Sequence, residues 1–76
     1  MIRELDTVVL SHDLKEHGLT RGDVGAVVHA YADARAYEVE FVTGEGMTIA
    51  VLTLTTSDIR PMQQQEILHV RSYATA

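Results

Sequence analysis

Tyr37-Glu38-Val39-Glu40-Phe41-Val42 alternates apolar and acidic side chains, with Tyr37, Val39 and Phe41 on one face and Glu38 and Glu40 on the other. A period of two over six residues is the signature of a half-buried β-strand. Gly44-Glu45-Gly46 follows, a pair of glycines able to supply positive φ in a tight hairpin, and then comes the β-prone run Met47 to Thr55. That second run is apolar on both faces, Ile49 and Val51 on one and Ala50, Leu52 and Leu54 on the other. The expected arrangement buries Ile49 and Val51 and leaves Ala50, Leu52 and Leu54 as a stripe for something else to cover.

Working outward, Val24 to Tyr31 is β-branched and contains Gly25, which predicts a bulge, a bend or a close backbone approach. Ala32 to Ala36 is short enough to be a hairpin connection. Leu5 to Leu10 is a first strand, separated from the second by a long aperiodic loop, Ser11 to Asp23, holding Gly18 and Gly22. Downstream, Ser57 to Pro61 reads as a turn because Pro61 cannot continue a ladder. Glu66 to Arg71 reads as a short closing strand and Ser72 to Ala76 as a loose tail. The expected fold is therefore all-β, a small five-stranded SH3-like barrel over residues 1–71 with a long loop between strands one and two, and a tail over 72–76. Its expected interior is Leu5, Val27, Tyr37, Val39, Phe41, Ile49 and Val51.

Composition narrows the function. The chain has 76 residues, no cysteine, no tryptophan and one phenylalanine. The core is thus aliphatic and small, and disulfide frameworks, thiolate metal sites and cysteine nucleophiles are excluded. A formal charge of −5 repels a phosphate backbone on average. The N-terminal residues carry charges where a signal peptide needs its apolar core, and no apolar run is long enough to span a bilayer. A cytoplasmic protein with no membrane contact is expected.

No catalytic constellation is legible. Glu38 and Glu40 stand about 7 Å apart by strand geometry, a carboxylate pair whose simpler reading is a solvated face. His12, Asp13 and His17 share the long loop without the spacing of a metal site, and Ser11 beside His12 has no third group to make a triad. His29 reads as a partly buried histidine with a backbone partner. His69 and Arg71 alternate with Leu68 and Val70, placing Ile67, His69 and Arg71 on one face of the closing strand. Neither an enzyme, nor a cofactor, nor a small-molecule substrate is expected.

The stretch Gly22-Asp23-Val24-Gly25-Ala26-Val27-Val28 resembles the KOW-type entry into an SH3-like barrel. More broadly, the chain resembles a family of short uncharacterised bacterial proteins, a domain of unknown function. The carrying residues are Glu4-Leu5-Asp6, Val8-Val9-Leu10, Gly18-Leu19, Gly22 to Gly25, Tyr37 to Phe41, Arg60-Pro61 and Glu66 to Arg71. That resemblance implies the small barrel and no activity. The expected function is a non-enzymatic protein-interaction module, self-associating as a homo-oligomer or serving as an antitoxin-like accessory partner of a neighbouring gene product. Its interface would use Ala50, Leu52 and Leu54 with Ile67, His69 and Arg71. The alternative, a KOW- or Tudor-like nucleic-acid binder, would use Arg21, Arg35 and Arg71.

Overall fold

The computed structural model describes residues 2–33 and 35–73. Five strands, β1 (Thr7–Leu10), β2 (Val24–Ala30), β3 (Tyr37–Val42), β4 (Thr48–Leu54) and β5 (Ile59–Pro61), form one antiparallel sheet in the order β4-β3-β2-β1-β5. The sheet is open: among the described residues no ladder joins β4 to β5. The long loop after β1 carries one 3₁₀ turn, Lys15–His17, closed by Gly18 at φ +69° and by a bridge from Leu14 to Leu19.

Val8 and Leu10 of β1, Val27, the Tyr37-Val39-Phe41 face of β3, Leu54 and Ile59 gather in one core, joined by Ile2 and Leu19. The alternation of β3 is therefore realised as expected. Two bulges bend the sheet around this core, between Val27 and His29 on β2 and between Phe41 and Val42 on the β3–β4 ladder. Gly25 is a site of close approach and not itself a bulge: a Cβ there would lie 2.7 Å from Val39 Cγ1 and 2.9 Å from Phe41 Cε1.

Four turns share one construction, in which an acidic side chain accepts a hydrogen bond from the backbone N–H three residues earlier. Asp6 closes on Arg3 at 2.9 Å, Asp23 on Thr20 at 2.8 Å, Asp58 on Thr55 at 2.9 Å and Glu66 on Gln63 at 2.7 Å. In each, the acidic residue's own N–H donates back to the carbonyl of its partner. Part of the acidic excess is thus local turn chemistry.

Several expectations are corrected. Leu5 lies in the first of these turns at φ +73° and is 86% exposed, so it is not core. The final strand is Ile59–Pro61 and not Glu66–Arg71. Pro61 is accommodated because β5 is an edge strand, with no neighbour beyond it among the described residues to receive an N–H. Tyr73 packs against the core and donates its hydroxyl to His17 O at 2.9 Å, so the chain is anchored there; the remainder of the expected tail, 74–76, lies outside the described residues.

Candidate functional site

β4 faces the opposite way from its expected phase. Tyr37 pairs with Leu54, Val39 with Leu52 and Phe41 with Ala50, and residues directly opposite in a ladder share a face. Leu54 is buried, and Leu52 and Ala50 are half-buried on the core side, while Val51 is 50% exposed on the outside. A strand apolar on both faces does not specify its own phase; pairing with the strongly alternating β3 does. Ile49 also packs against the core because it is the extra residue of the bulge opposite Phe41 and Val42. Ala50, Leu52 and Leu54 therefore do not form an outer stripe, and what β4 offers is a backbone edge unpaired among the described residues.

The two edges of the sheet differ in protection. β5 has three residues, one of them Pro61, and its Arg60 grips Glu66 with both terminal nitrogens at 2.8 and 2.7 Å. Short length, proline and charge are the usual safeguards of a free edge. β4 has seven residues, Thr-Ile-Ala-Val-Leu-Thr-Leu, with none of these safeguards. Its threonines Thr48 and Thr53 donate inward to Glu40 and Glu38 on β3. Tyr31 donates to the same Glu38, and the Thr53 and Tyr31 hydroxyls hold that carboxyl below its ordinary value. Glu38 and Glu40 are thus cross-strand acceptors in a polar outer face.

Beyond β5, residues 62–73 form a strap that is hydrogen-bonded near its ends and exposed in its middle. Glu66 is held by Arg60 and by the N–H of Gln63, and the Arg60 guanidinium takes its carboxyl down to about 2. At the other end Arg71 donates to both carboxylate oxygens of Asp23 at 2.8 and 2.5 Å, to Gly18 O at 3.0 Å and to Ser72 O at 3.1 Å. Burial raises Asp23, but the hydrogen bonds from Arg71 and Thr20 outweigh it and leave its pKa lowered. Between these anchors Ile67 is 89% and Val70 90% exposed, with Leu68 and His69 also exposed. The strap bounds one cavity of about 300 Å³ against Leu19, Phe41 and Ile49, and a second of about 200 Å³ against Val9 and Met62.

The proposed pairing of His69 with Arg71 on one anion-reading face does not form, since Arg71 is committed to Asp23. The three arginines of the nucleic-acid alternative are not gathered either. Arg21 precedes β2 and Arg35 follows it, and seven strand residues separate those ends by about 20 Å. His12, from the long loop, meets Asp58 of the β4–β5 turn at 2.7 Å, a contact across 46 residues that no local pattern announces. Its other ring nitrogen faces Asp13 O at 3.0 Å, so both nitrogens meet acceptors and only the protonated ring satisfies both. The Asp58 bond, then the Asp13 carbonyl, raise the His12 pKa accordingly. His29 is exposed, 3.4 Å from Glu4 and edge-on to Tyr31, which corrects its expected backbone partnership. Among the described residues no group of three or more His, Asp or Glu side chains is placed to hold a metal, and no helix is long and apolar enough to cross a membrane.

Both strap anchors depend on carboxylates whose pKa is depressed by folding. Such groups contribute stability that is fully present above their unfolded values and lost as pH falls through the folded ones. The strap is therefore expected to detach below about pH 4.5, progressively towards the folded value of about 2 for Glu66. Hydrogen exchange at the two bonded N–H groups of the anchors, the Glu66 amide on Gln63 O and the Arg71 Nε–H on Asp23, measured from pH 6 down to pH 2 and corrected for intrinsic rates, checks this; protection independent of pH contradicts it.

The model of a family described as a domain of unknown function, DUF4926, matches residues 4–61 of the chain. No curated protein and no solved structure matches at a significant level.

Proposed function

We propose that this chain, which belongs to the DUF4926 family, is a non-enzymatic self-association module that adds strands to its own sheet across the open edge of β4. The observation that carries the reading is the edge itself, seven residues long, uncharged, free of proline and, among the described residues, unpaired on its outer side. Such an edge templates strand addition unless it is covered. The net charge of −5 disfavours contact between copies over most of the surface, and β4 contributes none of it. Fold detail belongs to the same proposal: the five strands coil into an incomplete SH3-like barrel, supported by a single core to which every strand contributes.

Light scattering on the intact chain is expected to give a dimer, and Val51→Lys a monomer of half the mass with unchanged circular dichroism. Val51 is the suitable position because its side chain faces outward, whereas charging Leu54 would unfold the core. A parent chain that is monomeric at micromolar concentration sinks the reading.

A further inference from the structure

We infer that the strand covering β4 is the strap segment Glu66–Arg71 of a second copy, exchanged reciprocally to give a closed two-fold dimer. The inference rests on the self-association reading above and names its partner strand. The chain contains two incomplete halves of one ladder. Among the described residues β4 presents an unpaired outer backbone edge. The segment Ile67–Val70 presents backbone and side chains that make no hydrogen bond among the described residues.

The strap's side chains suit that role and poorly suit a solvent-facing one. Ile67, Leu68 and Val70 are three large exposed apolar side chains within four residues. Strand pairing places residues of alternate parity on opposite faces, so Leu68 and Val70 continue one face of the extended sheet and Ile67 and His69 the other. The run is β-prone, yet it finds no partner strand among the described residues of its own chain.

The two anchors make the exchange inexpensive in entropy. Arg60 on Glu66 and Asp23 on Arg71 hold the segment at both ends, so ordering it against a partner costs less than ordering a free peptide. Location permits reciprocity. His69, Val70 and Arg71 border the same cavity as Val42, Gly44 and Ile49, which places the strap beside the start of β4. An axis near that end brings each strap to the other copy's β4, and an isologous contact closes at two copies. The competing occupant, a second β4 paired antiparallel about Val51, leaves both straps uncovered.

Because the chain has no cysteine, cross-linking distinguishes the two arrangements. Affinity-tagged Val51→Cys is mixed with untagged Leu68→Cys, equilibrated to exchange subunits, and treated with a short bismaleimide. The expected result is a covalent tagged–untagged dimer in the mixture, several-fold above any dimer from Val51→Cys alone. A second measurement is light scattering on the double variant Ile67→Asp, Val70→Asp, whose side chains are exposed and whose circular dichroism is expected to be unchanged; its mass is expected to halve. Cross-linked Val51→Cys homodimers with none in the mixture, or a double variant that remains dimeric, overturn the strap exchange and leave the self-association reading standing. A monomeric parent chain overturns both.

Discussion

Phe41→Ala is expected to lower the urea midpoint of unfolding more than any other single substitution considered. Phe41 is the only phenylalanine, lies 2% exposed at the centre of the core, and packs beside Gly25 in a chain with no tryptophan. Truncating a buried phenylalanine costs about 3–5 kcal/mol, the lost transfer energy plus the cavity left behind. A domain of this length holds only about 4–11 kcal/mol in total. The substitution therefore removes a large share of the stability, and urea denaturation followed by circular dichroism should show the midpoint fall sharply. A midpoint close to that of the parent chain contradicts the assigned core.

The second large effect is expected at Gly25. An alanine there places its Cβ 2.7 Å from Val39 Cγ1, 2.9 Å from Phe41 Cε1 and 3.0 Å from Glu40 O. Both side chains are packed in the core and the third contact is backbone of the neighbouring strand, so none of them yields freely. Forcing a methyl into such a site costs about 1–3 kcal/mol. The cost is steric, because Gly25 does not occupy the left-handed region. Gly44→Ala supplies the control, since a Cβ there meets nothing within 4 Å and the backbone is not at positive φ. Combining Gly25→Ala with Val39→Ala removes the nearest clash, so the double variant is expected to be less destabilised than the sum of the singles. Strict additivity would falsify the contact.

The parts of the fold legible in the sequence were those encoded by local pattern. Tyr37 to Val42 alternates strongly enough to specify its strand, its buried face and the neighbouring hairpin, and Gly25 signalled a close approach. The phase of β4 is not legible in its own residues, which are apolar on both sides, and only β3 decides which side is core. β5 was missed because Pro61 argues against a ladder unless the strand is known to be an edge, and edge position is a property of the whole sheet. Glu66 to Arg71 has strand composition but no partner strand among the described residues. The acidic residues were legible as charge and not as turn closures, although Thr20-Arg21-Gly22-Asp23 and Thr55-Thr56-Ser57-Asp58 repeat one spacing. Of the expected interface residues, Ile67 and His69 are exposed, while Arg71 is bound to Asp23, a partner 48 residues away.

The pairing of β1 with β5, Val8 against Pro61 and Leu10 against Ile59, joins segments from nearly opposite ends of the sequence. The hairpins β2–β3 and β3–β4 involve only short loops and can zip as soon as they are synthesised, whereas the β1–β5 ladder must wait for a closure spanning most of the chain. During synthesis on the ribosome, β1 therefore emerges first yet lacks one of its two neighbours until the last strand clears the exit tunnel. Its β-branched edge, Thr7-Val8-Val9-Leu10, is a transient aggregation risk, and destabilising β5 should show itself as poor soluble yield before it shows itself as a lowered melting temperature.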